Sequence, residues 1–378
     1  VKITRKFSVE YDHRLVFTRD VFGPANEELA HLLGDQPARL FVFIDSGLAE
    51  ADQELEDRIA KWIARHPSLK LEGVCIVPGG EACKRDLSVV TECVHKLLAA
   101  KLCRHSFALI IGGGAVLDAV GLACTLFHRG LNQIRLPSTL LAQDDSGVGV
   151  KNAVNLFGVK NLVGTFSPPW AVINDAAFLD HLGPRQIRAG AAEAFKVALI
   201  KDADFFARIE ELAPLIVHQS PQALEELARR AAILHMDHIC FNGDPFEKGS
   251  SRPLDFGHWS AHCLEVLSEH SLLHGEAVAI GMAIDLHIAA DLGLLPLHDR
   301  DRALTLLSSL GYQLWHPALT FRDESGKLKI LKGLSDFQEH LGGQLTVAMP
   351  IAIGHVIDIN EIPVAAVERA VAALASKF

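Results

Sequence analysis

Residues 107–127 read FALIIGGGAVLDAVGLACTLF, the longest apolar stretch of the chain. By length it could be a membrane span. Asp118 and three consecutive glycines within it favour a different solution: a buried strand, a tight turn and a helix. A glycine turn between strand and helix lets backbone N–H groups approach a pyrophosphate, with the helix N-terminus favouring negative charge. The spacing is not the usual G-x-G-x-x-G, and a plain βα turn has the same pattern. ARLFVFIDSGL and LEGVCIVPGGEACK, upstream, read as two more buried strands. LEDRIAKWIARHP and DLSVVTECVHKLLAAKL carry helical spacing between them. Strands alternating with helices imply a parallel sheet with helices on its faces.

After WAVIND the character changes. PRQIRAGAAEAFKVALIKDADFFARIEELAPLIV, PQALEELARRAAILHMDHI and EAVAIGMAIDLHIAADLGL are all helical in pattern. The expected architecture is an α/β, Rossmann-like parallel-sheet domain over residues 1–175. A mainly α-helical domain over residues 176–378 follows, with the active site in the cleft between them. The formal net charge of −10 argues against a nucleic-acid or anionic-membrane surface. Seven scattered cysteines, an odd number with no C-x-x-C pair, read as free thiols in a reducing, cytoplasmic setting. The N-terminal residues lack the apolar core of a signal peptide.

Three further stretches bear chemistry. PSTLLAQDDSGVGVKNAVNLFGVKN holds Asp144, Asp145, Lys151, Lys160 and Asn161 among glycines and small residues. Lysines in such a segment read as a loop holding phosphates. In AGAAEAFKVALIK, Glu193 and Lys196 lie three apart on one helix face. That spacing alone describes a surface ion pair. Their neighbours are alanine, phenylalanine and valine, which points to burial, and buried charges need a partner or a metal. DFGHWSAHCLE and LLHGEAVAIG bring His258, His262 and His274 within 17 residues. Two or three histidines with one carboxylate form a common shell for catalytic zinc.

These motifs, from Glu81 to Gly354, together resemble the dehydroquinate synthase superfamily, the sugar phosphate cyclases. PGGEACK, GGGAVLDAVG, HRG, PSTLLAQDDSGVGVKN, AGAAEAFK, DFGHWSAH and LLHGEAVAIGM occur in the family's order. The resemblance implies roles. Glu193, His258 and His274 match the ligands of one divalent metal, Zn or Co. His262 matches a residue that faces the substrate phosphate. Arg129, Lys151 and Asn161 match other phosphate groups, Arg129 reaching in from the second subunit of a homodimer. Asp145 and Lys196 match residues around the reacting hydroxyls, so the expected catalytic set is Asp145, Lys196 and His262. Asp45, Glu81, Lys84, Gly113, Gly114, Asp118, Ser138, Thr139, Asp145, Lys151 and Lys160 match positions that hold NAD. The family's reaction oxidises a ring hydroxyl, eliminates phosphate, reduces the ketone again and closes a carbocycle by an internal aldol step.

The chain departs from dehydroquinate synthases where those enzymes meet a substrate carboxylate. Asp237 stands in place of a lysine, Ser251 in place of an arginine with Arg252 one residue out of register, and Asp255 in place of an asparagine. Phe337, Gln338 and Glu339 replace a DKK stretch, with His340 next. Acids beside a carboxylate substrate repel it, whereas neutral hydroxyls suit them. The expected substrate is therefore a ketose phosphate without a carboxylate, sedoheptulose 7-phosphate, giving a valiolone-type cyclitol. FGHWSAH and HGEA are most similar to the dehydroquinate synthase-like proteins of the EboD type. Two alternatives stay open: a 3-dehydroquinate synthase acting on 3-deoxy-arabino-heptulosonate 7-phosphate, and a metal-dependent polyol dehydrogenase of the glycerol dehydrogenase type.

Overall fold

The computed structural model describes residues 1–241, 246, 253–340 and 343–376. The chain divides into two compact units, one of Val1–Ser138 with Gly147–His181, the other of Thr139–Ser146 with Leu182–Phe378.

The first unit is built on β1 (Leu15–Thr18), β2 (Ala38–Asp45), β3 (Leu69–Val77), β4 (Phe107–Gly112), β5 (Asn132–Pro137) and β8 (Ala171–Asp175). They form one parallel sheet in the order β1-β8-β5-β4-β2-β3. The inner strands β2 and β4 are almost wholly buried and read as apolar runs rather than alternating ones, whereas β5, equally buried, carries Gln133 and Arg135. Leu40, Val42, Ile44, Leu109, Ile111, Ile134 and Leu136 form the core on one face, against Ile59, Trp62 and Ile63 of the helix Leu55–Ala64. The stretch 107–127 is β4, a glycine turn and the helix Gly114–Leu126. Among the described residues no helix is long and apolar enough to cross a membrane.

One expectation is corrected here. The segment 151–166 is not an open loop. It is an antiparallel ribbon of β6 (Lys151–Leu156) and β7 (Val159–Phe166). Its glycines serve the ribbon: the turn Phe157–Gly158 has positive φ at both residues, the requirement of a two-residue hairpin.

The second unit is mainly helical. The helix His274–Asp291 is buried from Gly275 to Ala289, so it shows no amphipathic stripe. It packs against Pro184–Lys201, His258–Leu267 and Val364–Ala375. A small antiparallel hairpin, Val347–Ala352 with His355–Ile359, lies beside it. The π-helical turn Ala142–Ser146 packs with Pro184–Lys201 and Pro221–Phe241. The chain thus leaves the first unit after Ser138 and returns to it at Gly147.

Candidate active site

In the second unit, three helices aim side chains at one another. Glu193 and Lys196, three apart on Pro184–Lys201, are each 2% exposed and form an ion pair. This is a buried pair, not a surface one. Burial opposes the Lys196 ammonium, but Glu193 and Asp145 outweigh it and its pKa is raised. Burial likewise opposes the Glu193 carboxylate, yet Lys196 holds its pKa down at about 2. Both groups are therefore charged at neutral pH.

His258 opens the helix His258–Leu267 behind Gly257, whose φ of 79° is the left-handed region. A Cβ on Gly257 would also lie 2.8 Å from the Met282 backbone nitrogen, so the position calls for glycine twice over. Asp285 fixes this corner from the neighbouring helix, accepting from Gly257 N at 3.0 Å and Trp259 Nε1 at 2.7 Å. His258 Nδ1 lies 3.1 Å from the Phe256 carbonyl. Donation there commits the proton to Nδ1 and leaves the Nε2 lone pair for a ligand. Burial, with Lys196 nearby, pushes the His258 pKa down to about 4, so the ring is neutral.

His258 Nε2 lies 3.7 Å from Glu193 Oε1, and His274 Nε2 lies 3.5 Å from the same oxygen. Those distances are too long for good hydrogen bonds, and Oε1 is a buried oxygen with no hydrogen-bond partner. They fit a metal shell. Two donors on a tetrahedral zinc with bonds of about 2.0–2.1 Å sit about 3.3 Å apart. On the other side of its ring, His274 Nδ1 faces Glu265 Oε2 at 3.5 Å. Glu265 is 4% exposed. Against burial, Glu193 and Glu265 push the His274 pKa up to about 9. His262 is exposed and joins the cluster through its ring, 5.4 Å from His258 and 5.8 Å from His274 between centroids. One ring nitrogen from each of the three histidines falls within 4.8 Å of the others. Geometry thus brings all three histidines together, with Glu193 against His258 and His274.

Asp145, on the turn Ala142–Ser146, lies 3.0 Å from His235 Nδ1 of Pro221–Phe241. Burial would raise its pKa, but Lys196 and His235 pull it well below the usual carboxylate range. Asp255 ends the turn Pro253–Asp255 and adds to the field that keeps Lys196 protonated. Asp237 is exposed on Pro221–Phe241. His340 is the last residue of the helix Lys332–His340. Arg252 and Ser251 lie outside the described residues.

The first unit gathers a second set. Asp45 ends β2 and accepts from Gly47 N at 2.9 Å and Gly113 N at 3.4 Å, tying the glycine turn to the neighbouring strand. Gly113 is extended and Gly114 starts the helix. Ser138 N donates to the Gly112 carbonyl at 2.9 Å, while Thr139, which belongs to the second unit, accepts through Oγ1 from Ala142 N at 3.2 Å. Buried Lys84 donates to Asp118 Oδ2 at 2.5 Å and Asn161 Oδ1 at 2.6 Å. Glu81 accepts from Asn155 at 3.1 Å. Lys151 opens β6, exposed, and Lys160 follows on β7. Arg129 is exposed on a turn where His128 and Arg129 take φ of 50° and 64°, an uncommon left-handed pair.

Sequence reasoning missed His235, Glu265 and Asp285. Glu265 had a signal: it falls seven residues after His258, two helical turns along the same face. Asp285 had one too, as a lone acid inside an apolar helix. His235 had none, because only the fold brings Pro221–Phe241 to Asp145.

The fold and these two clusters define a dinucleotide-binding sheet unit joined in one chain to a helical unit with a metal-capable site. Residues 74–189 match the family model described as 3-dehydroquinate synthase N-terminal, and residues 190–331 match 3-dehydroquinate synthase C-terminal. The chain belongs to the 3-dehydroquinate synthase family. It is 33% identical to a 2-epi-5-epi-valiolone synthase of Streptomyces glaucescens, over 96% of this chain and 91% of that one. It is also 33% identical to a 3-dehydroquinate synthase of Acidithiobacillus ferrooxidans, over 87% and 86%. Among solved structures, ValA, the 2-epi-5-epi-valiolone synthase of Streptomyces hygroscopicus subsp. jinggangensis 5008 with NAD+ and Zn2+ bound, superposes with a TM-score of 0.88. It does so at 30% identity, covering 100% of each chain.

Proposed function

We propose that this chain is an NAD- and divalent-metal-dependent sugar phosphate cyclase acting on sedoheptulose 7-phosphate to give a valiolone-type cyclitol. The observation that carries the reading is the constellation of buried Glu193, Lys196 and His258 with half-buried Asp145 and His274, in which opposite charges are held close together. Glu193, His258 and His274 would hold the ion, and the Gly113–Gly114 turn with Asp45, Glu81, Lys84, Asp118, Ser138, Thr139, Lys151 and Lys160 would hold the dinucleotide. When bound, the nicotinamide supplies a reversible hydride acceptor and the ion a Lewis acid.

The chain's own residues then have separable tasks. Asp145, kept anionic, accepts a hydrogen bond from a substrate hydroxyl and orients it, and His235 behind it holds the carboxylate in place. Lys196, kept cationic, donates to the oxygen as its charge changes. His262, exposed beside the ligand histidines, would meet the phosphate, and the reading gives the same role to Lys151, Asn161 and, in a homodimer, the Arg129 of a second subunit. Arg129 is exposed, as a residue reaching a neighbouring subunit must be.

The substrate reading rests on acids. Asp255 lies in the field of Lys196, and Asp237 is acidic where a carboxylate substrate would want a cation. The likeness to valiolone synthases, over 96% of this chain and with a TM-score of 0.88 to ValA, supports it, and the equal identity to a 3-dehydroquinate synthase keeps that activity as the rival. The EboD-type likeness rests on FGHWSAH and HGEA alone. The reading places the protein in the cytoplasm, where the seven cysteines remain the free thiols they are here.

Phosphate release by protein loaded with metal and NAD+, offered sedoheptulose 7-phosphate and 3-deoxy-arabino-heptulosonate 7-phosphate in parallel, tests the proposal. Release from the first alone is expected. Release from the second alone makes the chain a 3-dehydroquinate synthase. NADH accumulation without phosphate release makes it a polyol dehydrogenase.

A further inference from the structure

The most constrained segment of the first unit is the turn Gly147–Val150 leading into β6. All five carbonyls from Gly147 to Lys151 are engaged. Val148 O faces His13 Nε2 at 2.7 Å, and Val150 O accepts from Ser167 N at 2.7 Å. The other three belong to one side chain. Arg135, on β5, is 0% exposed. Its Nη1 donates to Gly147 O at 3.2 Å and Gly149 O at 2.8 Å, and its Nη2 to Lys151 O at 3.1 Å and Asn152 Oδ1 at 2.8 Å. Its Nε reaches Gln133 Oε1 at 3.4 Å.

None of those acceptors is a carboxylate. Burial pushes the guanidinium pKa down to about 10, so it stays charged at neutral pH. A buried charge is costly unless it is well hydrogen-bonded, so a sheet core has little reason to hold one unless it organises something. Here it organises backbone. The guanidinium fork spans a segment that a lysine, with one nitrogen, cannot span. The same hub reaches the helix of the glycine turn. On Gly121 of Gly114–Leu126, a Cβ would fall 1.9 Å from Asn152 Oδ1 and 2.9 Å from Gln133 Oε1, so the helix packs directly on the atoms Arg135 holds.

We propose that Arg135 is a positioning residue for dinucleotide binding: it sets the path of Gly147–Asn152, and through it the place of Lys151, against the helix that carries Gly113 and Gly114. The inference rests on the functional reading above, in which Lys151 meets NAD. It gives that reading a buried determinant that touches no ligand.

The test is titration calorimetry of NAD+ into the purified full chain, for wild type, Arg135→Lys, Lys151→Ala and the double variant, each checked by circular dichroism. Lys151→Ala is expected to weaken NAD+ binding about tenfold, and Arg135→Lys by a similar factor. Because both act through one group, the double variant should lie within threefold of Lys151→Ala. Arg135→Lys binding within twofold of wild type overturns the proposal. So does a double variant whose loss is the product of the single losses, since that is the behaviour of general destabilisation. If Arg135→Lys does not fold, Asn152→Ala removes a single acceptor. A three- to tenfold loss that vanishes in the Lys151→Ala background is then expected, and no loss, or a multiplying one, overturns the proposal. Lys151→Ala binding like wild type overturns the inference and the assignment of Lys151 to NAD, while leaving the cyclase reading. A wild type that does not bind NAD+ overturns both.

Discussion

Glu265 touches neither substrate nor, in this geometry, the metal position, yet it should govern metal affinity. Its Oε2 lies 3.5 Å from His274 Nδ1, inside the protein, while His274 Nε2 faces Glu193. At an effective dielectric of about 20, a full charge at that distance corresponds to about 5 kcal/mol of gross Coulomb energy. Desolvation of the carboxylate consumes most of it. Outer-shell partners of ligand histidines retain about 10–100-fold in metal affinity, or ~1.4–2.7 kcal/mol. Two substitutions divide this effect. Glu265→Gln keeps a carbonyl that can accept from Nδ1–H, so it removes charge but not orientation, and a loss of about tenfold is expected. Glu265→Leu removes both, and a loss near 100-fold is expected. The assay is competition for Zn2+ against a chromophoric chelator, with thermal melts of the metal-free proteins as a folding control. If Glu265→Leu stays within threefold of wild type while folded, His274 is oriented by something else and the argument fails.

Other outcomes follow from the same charges. Lys196→Met should reduce turnover at least about 100-fold with little change in NAD+ affinity; equal losses in both would show a misfolded site. Asp255→Asn should raise the rate with the carboxylated heptulosonate phosphate relative to sedoheptulose 7-phosphate; an unchanged ratio removes Asp255 from the specificity argument. Asp144 is buried, both its oxygens lack hydrogen bonds, and burial with Asp145 raises its pKa well above the ordinary value. Asp144→Val should therefore stabilise the chain by about 1–3 kcal/mol in urea unfolding; destabilisation would mean the carboxyl has a partner in solution. Asp285 is pushed up to about 7 by burial, above its unfolded value near 4. Its contribution to stability is thus complete below pH ~4 and is lost as pH rises through about 7, at up to ~1.4 kcal/mol per unit. Asp285→Asn should flatten that slope in unfolding measured from pH 4 to 8, and an unchanged slope would assign it to other groups.

The site was legible wherever its logic is local. Glu193 and Lys196 stand three apart among alanines, and a helix so lined is buried, which forces its charges together. His258 and His262 repeat at one helical turn, and LLHGEA starts the next helix. β2, β3 and β4 were legible as apolar runs, while β5 escaped because Gln133 and Arg135 interrupt its apolar pattern. What escaped depends on contacts far apart in sequence. His235 and Asp145 are 90 residues apart, and nothing in ILHMDHI marks one histidine above the next.

The glycine-rich run misled for a physical reason that also explains its composition. Read as a single phosphate loop, it is three structures in succession. The turn Ala142–Ser146 belongs with the helical unit and brings Asp145 to Lys196 and His235. Gly147–Val150 is the return, threaded over Arg135 with its carbonyls engaged. The ribbon that follows offers Lys151 and Lys160 at its surface and Asn161 to Lys84. An acid expected to act on the substrate and a lysine expected to hold the dinucleotide are thus six residues apart on one strand of chain. The turn that follows the acid is held by Arg135, a residue of β5 that no motif in the run announces.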